Sequence, residues 1–200
     1  MKISVLIDNN AWNFFFARNF NFHQELPPEE FSIFINREVE IEIAAIPDEG
    51  KDGVDKRALK KYIHESVLGN RIATAAIFGF AEANPPEGPG TYVGFGQGTF
   101  QSNKEKDWYG EEKIKSYIIG KPKRNSGLTH NQADAAVAIA SFGSVVLTCD
   151  KKTGPIGYAK ESGGAVVFLS DELLASQSLR LILHTISSSS SKILPEVKKP

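Results

Sequence analysis

Cysteine is almost absent from this chain of 200 residues, where only Cys149 occurs. A single thiol excludes an internal disulfide framework and fits a reducing compartment. Long apolar runs are missing too, so no segment reads as a membrane-spanning helix. The first apolar stretch is interrupted at once by Asp8, Asn9 and Asn10, which leaves no apolar centre for a secretory signal. Charges nearly cancel, at a formal net charge of −1, so bulk electrostatics selects no partner. His23, His64, His130 and His184 are scattered without metal-ligand spacing. Gly94-Phe95-Gly96-Gln97-Gly98 lacks the flanking strand and helix of a dinucleotide fingerprint. No serine–histidine–aspartate arrangement and no internal repeat is visible. These absences leave a soluble, cytoplasmic chain of one domain, with an ordinary apolar fraction of 41%.

What is present is a pair of short apolar runs that each end in an aspartate. Ile3-Ser4-Val5-Leu6-Ile7 stops at Asp8, and Ser144-Val145-Val146-Leu147-Thr148-Cys149 stops at Asp150. Runs of this length, rich in β-branched residues, read as strands buried on both faces of a parallel sheet. Cys149, inside the second run, reads as a small core residue. Open α/β sheets place their chemistry at the carboxyl ends of strands. Neighbouring strands lie only about 5 Å apart, and two carboxylates that close repel unless a cation or a proton sits between them. The pattern therefore implies a site for a hard divalent ion, Mg²⁺ or Mn²⁺.

The remaining signals sketch an α/β order. A helix begins after Asn10. Phe31–Ile35 reads as a strand, and Asn36 as the N-cap of a helix that Pro47 ends. Residues 57–68 have helical periodicity up to Gly69, and 72–80 read as a strand. Residues 84–98 hold three prolines and five glycines and read as a hairpin or long loop, with 92–100 as its returning arm. The whole segment 84–127 is expected to project from the core near the acidic edge and to tune binding. Within it, charged residues alternate with Trp108, Tyr109 and Tyr117, and only Lys121-Pro122-Lys123-Arg124 is uniformly basic. Lys121, Lys123 and Arg124 are the candidates for substrate phosphates. Residues 131–142 form the clearest helix, with Asp134 in its first turn, where the helix dipole alone would also favour an acid. Residues 164–169 suggest a last strand and 171–184 a helix. The expected domain spans 1–185, and the serine run opens a mobile tail over 186–200.

Val5-Leu6-Ile7-Asp8-Asn9-Asn10, the helix with Val39-Glu40-Ile41-Glu42-Ile43, then Asn131-Gln132-Ala133-Asp134, and finally Leu147-Thr148-Cys149-Asp150 together resemble the PIN-domain nucleases. The resemblance covers about residues 1–46 and 128–170. It departs at Asn9, where the family's first motif carries threonine. It implies a three-layer fold with a central, mainly parallel sheet flanked by helices. It also implies that Asp8, Glu42, Asp134 and Asp150 ligate one or two Mg²⁺ or Mn²⁺ ions and cleave RNA. Glu38 is the alternative second acid, one helical turn away. Asn10 and Thr148 either orient the acids from behind or cap the strand-to-loop turns. Within the family, a toxin paired with an antitoxin protein is one expectation, and a homodimer is another.

Two other function classes compete with a nuclease. A phosphatase-like α/β hydrolase would use Asp8 as a phosphoryl nucleophile, yet the position two residues on is Asn10 rather than a second acid. A PIN-like module that binds RNA or a protein without cutting would not need all four acidic positions filled.

Overall fold

The buried apolar run at the start of the chain becomes the middle of a sheet. In the computed structural model, residues 2–50, 53–77, 98–99, 102–123, 125–129, 131–150 and 153–191 are described. Strands β1 (Ile3–Ile7), β2 (Phe31–Asn36), β3 (Ala73–Ile77), β4 (Gly98–Thr99), β5 (Val145–Thr148) and β6 (Val166–Phe168) lie in the order β4-β3-β2-β1-β5-β6. Every neighbouring pair is parallel. Val5, Leu6 and Ile7 of β1 and Val146 and Leu147 of β5 are fully buried, as a sheet covered on both faces requires.

Helices flank the sheet, completing a three-layer α/β fold. Helices α1 (Ala11–Ala17) and α2 (Phe22–Glu25) join β1 to β2, and α3 (Arg37–Ala44) and α4 (Arg57–Gly69) join β2 to β3. Helices α5 (Asn103–Gly110), α6 (Glu112–Ile118) and α7 (Gln132–Ala140) precede β5, and α8 (Gly154–Glu161) joins β5 to β6. Helices α9 (Asp171–Ser176) and α10 (Leu179–Ser191) follow. The aromatic run after β1 is core: Trp12, Phe15 and Phe22 are buried, with the Trp12 and Phe22 ring centroids 5.6 Å apart. Burying a side chain of that size contributes about 1.5–3 kcal/mol. The Asn36 side chain accepts from the Val39 N–H at 2.9 Å, so the N-cap of α3 is where the sequence places it.

Five local expectations are corrected. Cys149 is exposed, because β5, buried at every position, ends at Thr148 and leaves Cys149 in the turn beyond the covered sheet. Residues 103–118 do not project as an irregular segment. Ser102 and Glu105 form a capping box that starts α5, and Trp108 and Ile114 are buried in the core. The dense charge on these helices masks a narrow apolar stripe. Trp108 lies edge-on to Phe142 at 5.5 Å and stacks on Tyr158 at 6.1 Å, so that ring is spent on packing rather than on bases. Gly98–Thr99 pairs parallel to β3, whereas the returning arm of a hairpin would run antiparallel. The serine run is helical as far as Ser191. There Ser188 and Ser189 donate back to the carbonyls of His184 and Thr185 at 2.8 and 2.9 Å, so these hydroxyls find partners within the helix. Helix α8 has no counterpart in the sequence reading. The expected loop at 84–97, Arg124, His130 and the end of the chain at 192–200 lie outside the described residues. Among the described residues, no helix is long and apolar enough to cross a membrane.

Candidate functional site

The sheet changes direction at β1. From β1 the chain steps to β2 and β3 on one side, and later to β5 and β6 on the other. The crevice at the carboxyl ends of β1 and β5 is therefore a topological switch point, where open α/β sheets bind ligands. Asp8 follows β1 directly, and Asp150 follows β5 after one intervening residue. Both aspartates stand at this edge. The register Ile7↔Leu147 sets Asp8 opposite Thr148.

Asp8 is the anchor of the site. Its residue is only 3% exposed. One carboxylate oxygen accepts from the Asn9 N–H at 2.7 Å, and the other accepts from the Thr148 hydroxyl at 2.7 Å. The Thr148 hydroxyl in turn accepts from the Asp150 N–H at 2.9 Å. One buried hydroxyl thus orients the first acid and fixes the turn that carries the last. Burial pushes the Asp8 carboxyl up to about 7, even though the Thr148 hydrogen bond pulls the other way. The charge of Asp134 raises it further, and the charge of Asp150 adds to that. Three acids from β1, α7 and β5 therefore share one electrostatic neighbourhood. Asp134 stands at the third position of α7, where the helix dipole also favours an acid.

Glu42 joins from α3. One of its oxygens accepts from the Asn9 side-chain amide at 3.2 Å, and the other faces the Lys123 ammonium at 2.9 Å. This geometry places Glu42 beside the residue that follows Asp8. Asn9 and the Lys123–Glu42 pair were missed from sequence. The one available signal for Asn9 was an amide standing where the family motif carries a hydroxyl. Lys123 holds an acid here, so it would have to leave Glu42 to serve the substrate phosphates expected for it. Lys121 is exposed.

The Asn10 side-chain oxygen accepts from the Cys149 N–H at 2.7 Å, tying the turn after β1 to the turn after β5, and lies 3.2 Å from the same Thr148 hydroxyl that donates to Asp8. The Cys149 thiol is pushed up to about 11 by desolvation and by the Asp8 charge, so it is not a thiolate nucleophile near neutrality. Among the described residues, no three His, Cys, Asp or Glu side chains are arranged so that they could hold a metal ion as they stand. A cleft of about 430 Å³ lined by Lys2, His23, Phe31 and Arg71 opens at the opposite, amino edge of the sheet, away from the acids.

The Thr148 hydroxyl offers a direct check on this geometry. Thr148→Val keeps the shape and removes the donor. The Asp8 midpoint should then rise above that of the parent, because the hydrogen bond that favours its charged form is gone. Losing a bond to a buried charged group should also cost about 1–3 kcal/mol of stability once Asp8 is ionised. Carbon-detected NMR titration of the Asp8 carboxyl in metal-free protein reads the midpoint. An unmoved midpoint would mean that the hydroxyl does not hold the carboxylate.

No protein-family model matches this chain, and neither a curated protein nor a solved structure matches it.

Proposed function

We propose that this chain is a metal-dependent nuclease that cleaves RNA phosphodiester bonds at the carboxyl edge of β1 and β5. The observation that carries this reading is the pooling of carboxylate charge there. Asp8 is held near a titration midpoint of about 7 by burial and by Asp134 and Asp150. Such a cluster is costly by itself and is relieved by a proton or by a cation. Oxygen donors of this kind suit Mg²⁺ or Mn²⁺, and the resemblance to PIN-domain nucleases supplies RNA as the substrate class. A divalent ion bound here would lower the pKa of an attacking water and offset charge on the phosphate.

The chain's own groups have distinct tasks in this reading. Asp8, Asp134 and Asp150 would supply the ligand oxygens. The Asn9 N–H and the Thr148 hydroxyl lock the Asp8 carboxylate in one orientation, so little reordering is needed when a cation arrives. Glu42 borders the cluster through Asn9. A protein nucleophile is not required. The test is cleavage of single-stranded RNA by the full chain with Mn²⁺ or Mg²⁺. Fragments should appear with the ion and vanish with EDTA. Cleavage that persists in EDTA would overturn the reading.

A second reading is favoured by one specific observation. Among the described residues, no three acids are arranged to hold an ion as they stand, which suits a module that binds RNA or a protein without cutting. Retained RNA binding with no cleavage under any divalent ion would favour it.

A further inference from the structure

The amino edge of the sheet collects positive charge. The cleft of about 430 Å³ there is lined by Lys2 ahead of β1, His23 of α2, Ser32 of β2 and Arg71 ahead of β3. Leu26 and Phe31, both buried, form its apolar floor. Among the described residues that line the cleft, none is acidic. Glu30, beside Phe31 in the chain, is already held by Arg180 and His184. The other described arginines, Arg18, Arg37, Arg57 and Arg180, each pair with an acid. Arg71 pairs with none among the described residues.

The backbone at Arg71 is costly as well. Among the described residues, only Asn19 and Arg71 take a left-handed φ without being glycine, and Arg71 stands at 52°. Asparagine tolerates that region, whereas arginine does not. The Arg71 N–H donates to the Leu68 carbonyl at 3.3 Å, and the Ile72 N–H donates to the Val67 carbonyl at 3.0 Å. This is the hydrogen-bond pattern that ends a helix on a left-handed residue, most often glycine. An arginine held there against its backbone preference, unpaired and lining a cleft, points to a ligand.

We propose that this cleft binds a small organic phosphate monoester, with its phosphate between Lys2 and Arg71 and its apolar part over Leu26 and Phe31. Strands β1 and β3 flank β2, so Lys2 and Arg71 start about 10 Å apart. Two long side chains reach one phosphate across that gap. A guanidinium meets it with paired N–H donors, and an ammonium adds a point charge. The Ser32 hydroxyl and the His23 ring stand in the same lining as further hydrogen-bonding groups. A volume of this size suits a small ligand. Lys2 and Asp8 bracket the five residues of β1, which puts the cleft about 20 Å from the acids. The site is therefore independent of the nuclease reading and of any metal.

The experiment is isothermal titration calorimetry of the full chain with adenosine 5′-monophosphate in EDTA. The parent should bind it, bind inorganic phosphate more weakly, and bind adenosine weakest of the three. Arg71→Gly should weaken binding of the monophosphate about tenfold or more, the scale of one lost charge-assisted contact. The same variant should melt about 2–4 °C higher, because glycine relieves the backbone. Lys2→Met should also weaken binding. Asp8→Asn, at the other edge, should bind like the parent. No binding by the parent, or adenosine or inorganic phosphate bound as tightly as the monophosphate, would overturn the proposal. So would an unchanged affinity in Arg71→Gly, or a loss in Asp8→Asn. If Arg71→Gly melts below the parent, Lys2→Met decides, and an unchanged affinity there overturns the site.

Discussion

Asp8→Asn is expected to abolish metal-dependent RNA cleavage while making the metal-free protein more stable above neutral pH. The activity loss should exceed about 100-fold, the upper end of what removing a mere outer partner of a metal ligand costs. The stability gain follows from the Asp8 carboxyl, held at about 7 in the folded chain against about 4 when unfolded. Between those values the folded state binds the extra proton. Stability therefore falls as pH rises through the window, and the whole penalty, up to about 4 kcal/mol, is present above about pH 7. Asparagine keeps the size and cannot ionise, so the variant should match the parent near pH 4 and exceed it near pH 8. Its amide oxygen can still accept one of the two hydrogen bonds, from the Asn9 N–H or the Thr148 hydroxyl. Denaturation in EDTA across that range gives the stability curve, and an RNA assay at matched purity gives the activity. Equal cleavage by the variant would point to a contaminating nuclease. Parallel stability curves would show that Asp8 is not strained.

Gly164→Ala is expected to lower stability by about 2–3 kcal/mol, as overpacking of a tight core does. A Cβ at Gly164 would lie 2.1 Å from the Ser141 hydroxyl oxygen and 2.9 Å from the Ala159 carbonyl oxygen. Neither neighbour yields easily. Ser141 is 2% exposed and donates to the Ala138 carbonyl at 2.6 Å. The Ala159 oxygen is backbone, and it already accepts from the Gly164 N–H at 2.8 Å. The ends of α7 and α8 meet the start of β6 at this point, with Ala165 N–H donating to the Ser141 carbonyl at 2.8 Å. In a chain of this size the loss corresponds to a melting point lower by about 5–10 °C. Adding Ser141→Gly removes the closer of the two clashes and should recover part of the loss. The carbonyl contact stays in place. A Gly164→Ala protein that melts with the parent would show that this junction is looser than the structure has it.

The local signals in the sequence were enough to place five of the described strands, several helices and three of the acids. A buried parallel strand is a short β-branched run, and a charge at its end is visible in the same few residues, so Asp8 and Asp150 could be read directly. Asn36 as a cap and Asp134 in a first helical turn are equally local. The parallel sheet and its flanking helices followed from the alternation of these elements. Only the tertiary structure decided the partners. Thr148 reaches Asp8 across 140 residues, Asn9 reaches Glu42 across 33, and Lys123 reaches Glu42 across 81. No periodicity encodes such pairs, because they depend on which strands become neighbours and on where each chain segment turns. The packing of α5 and α6 was hidden for a related reason. One buried residue per helix, Trp108 and Ile114, is too sparse to stand out from charged surroundings until α7 supplies the surface that receives it.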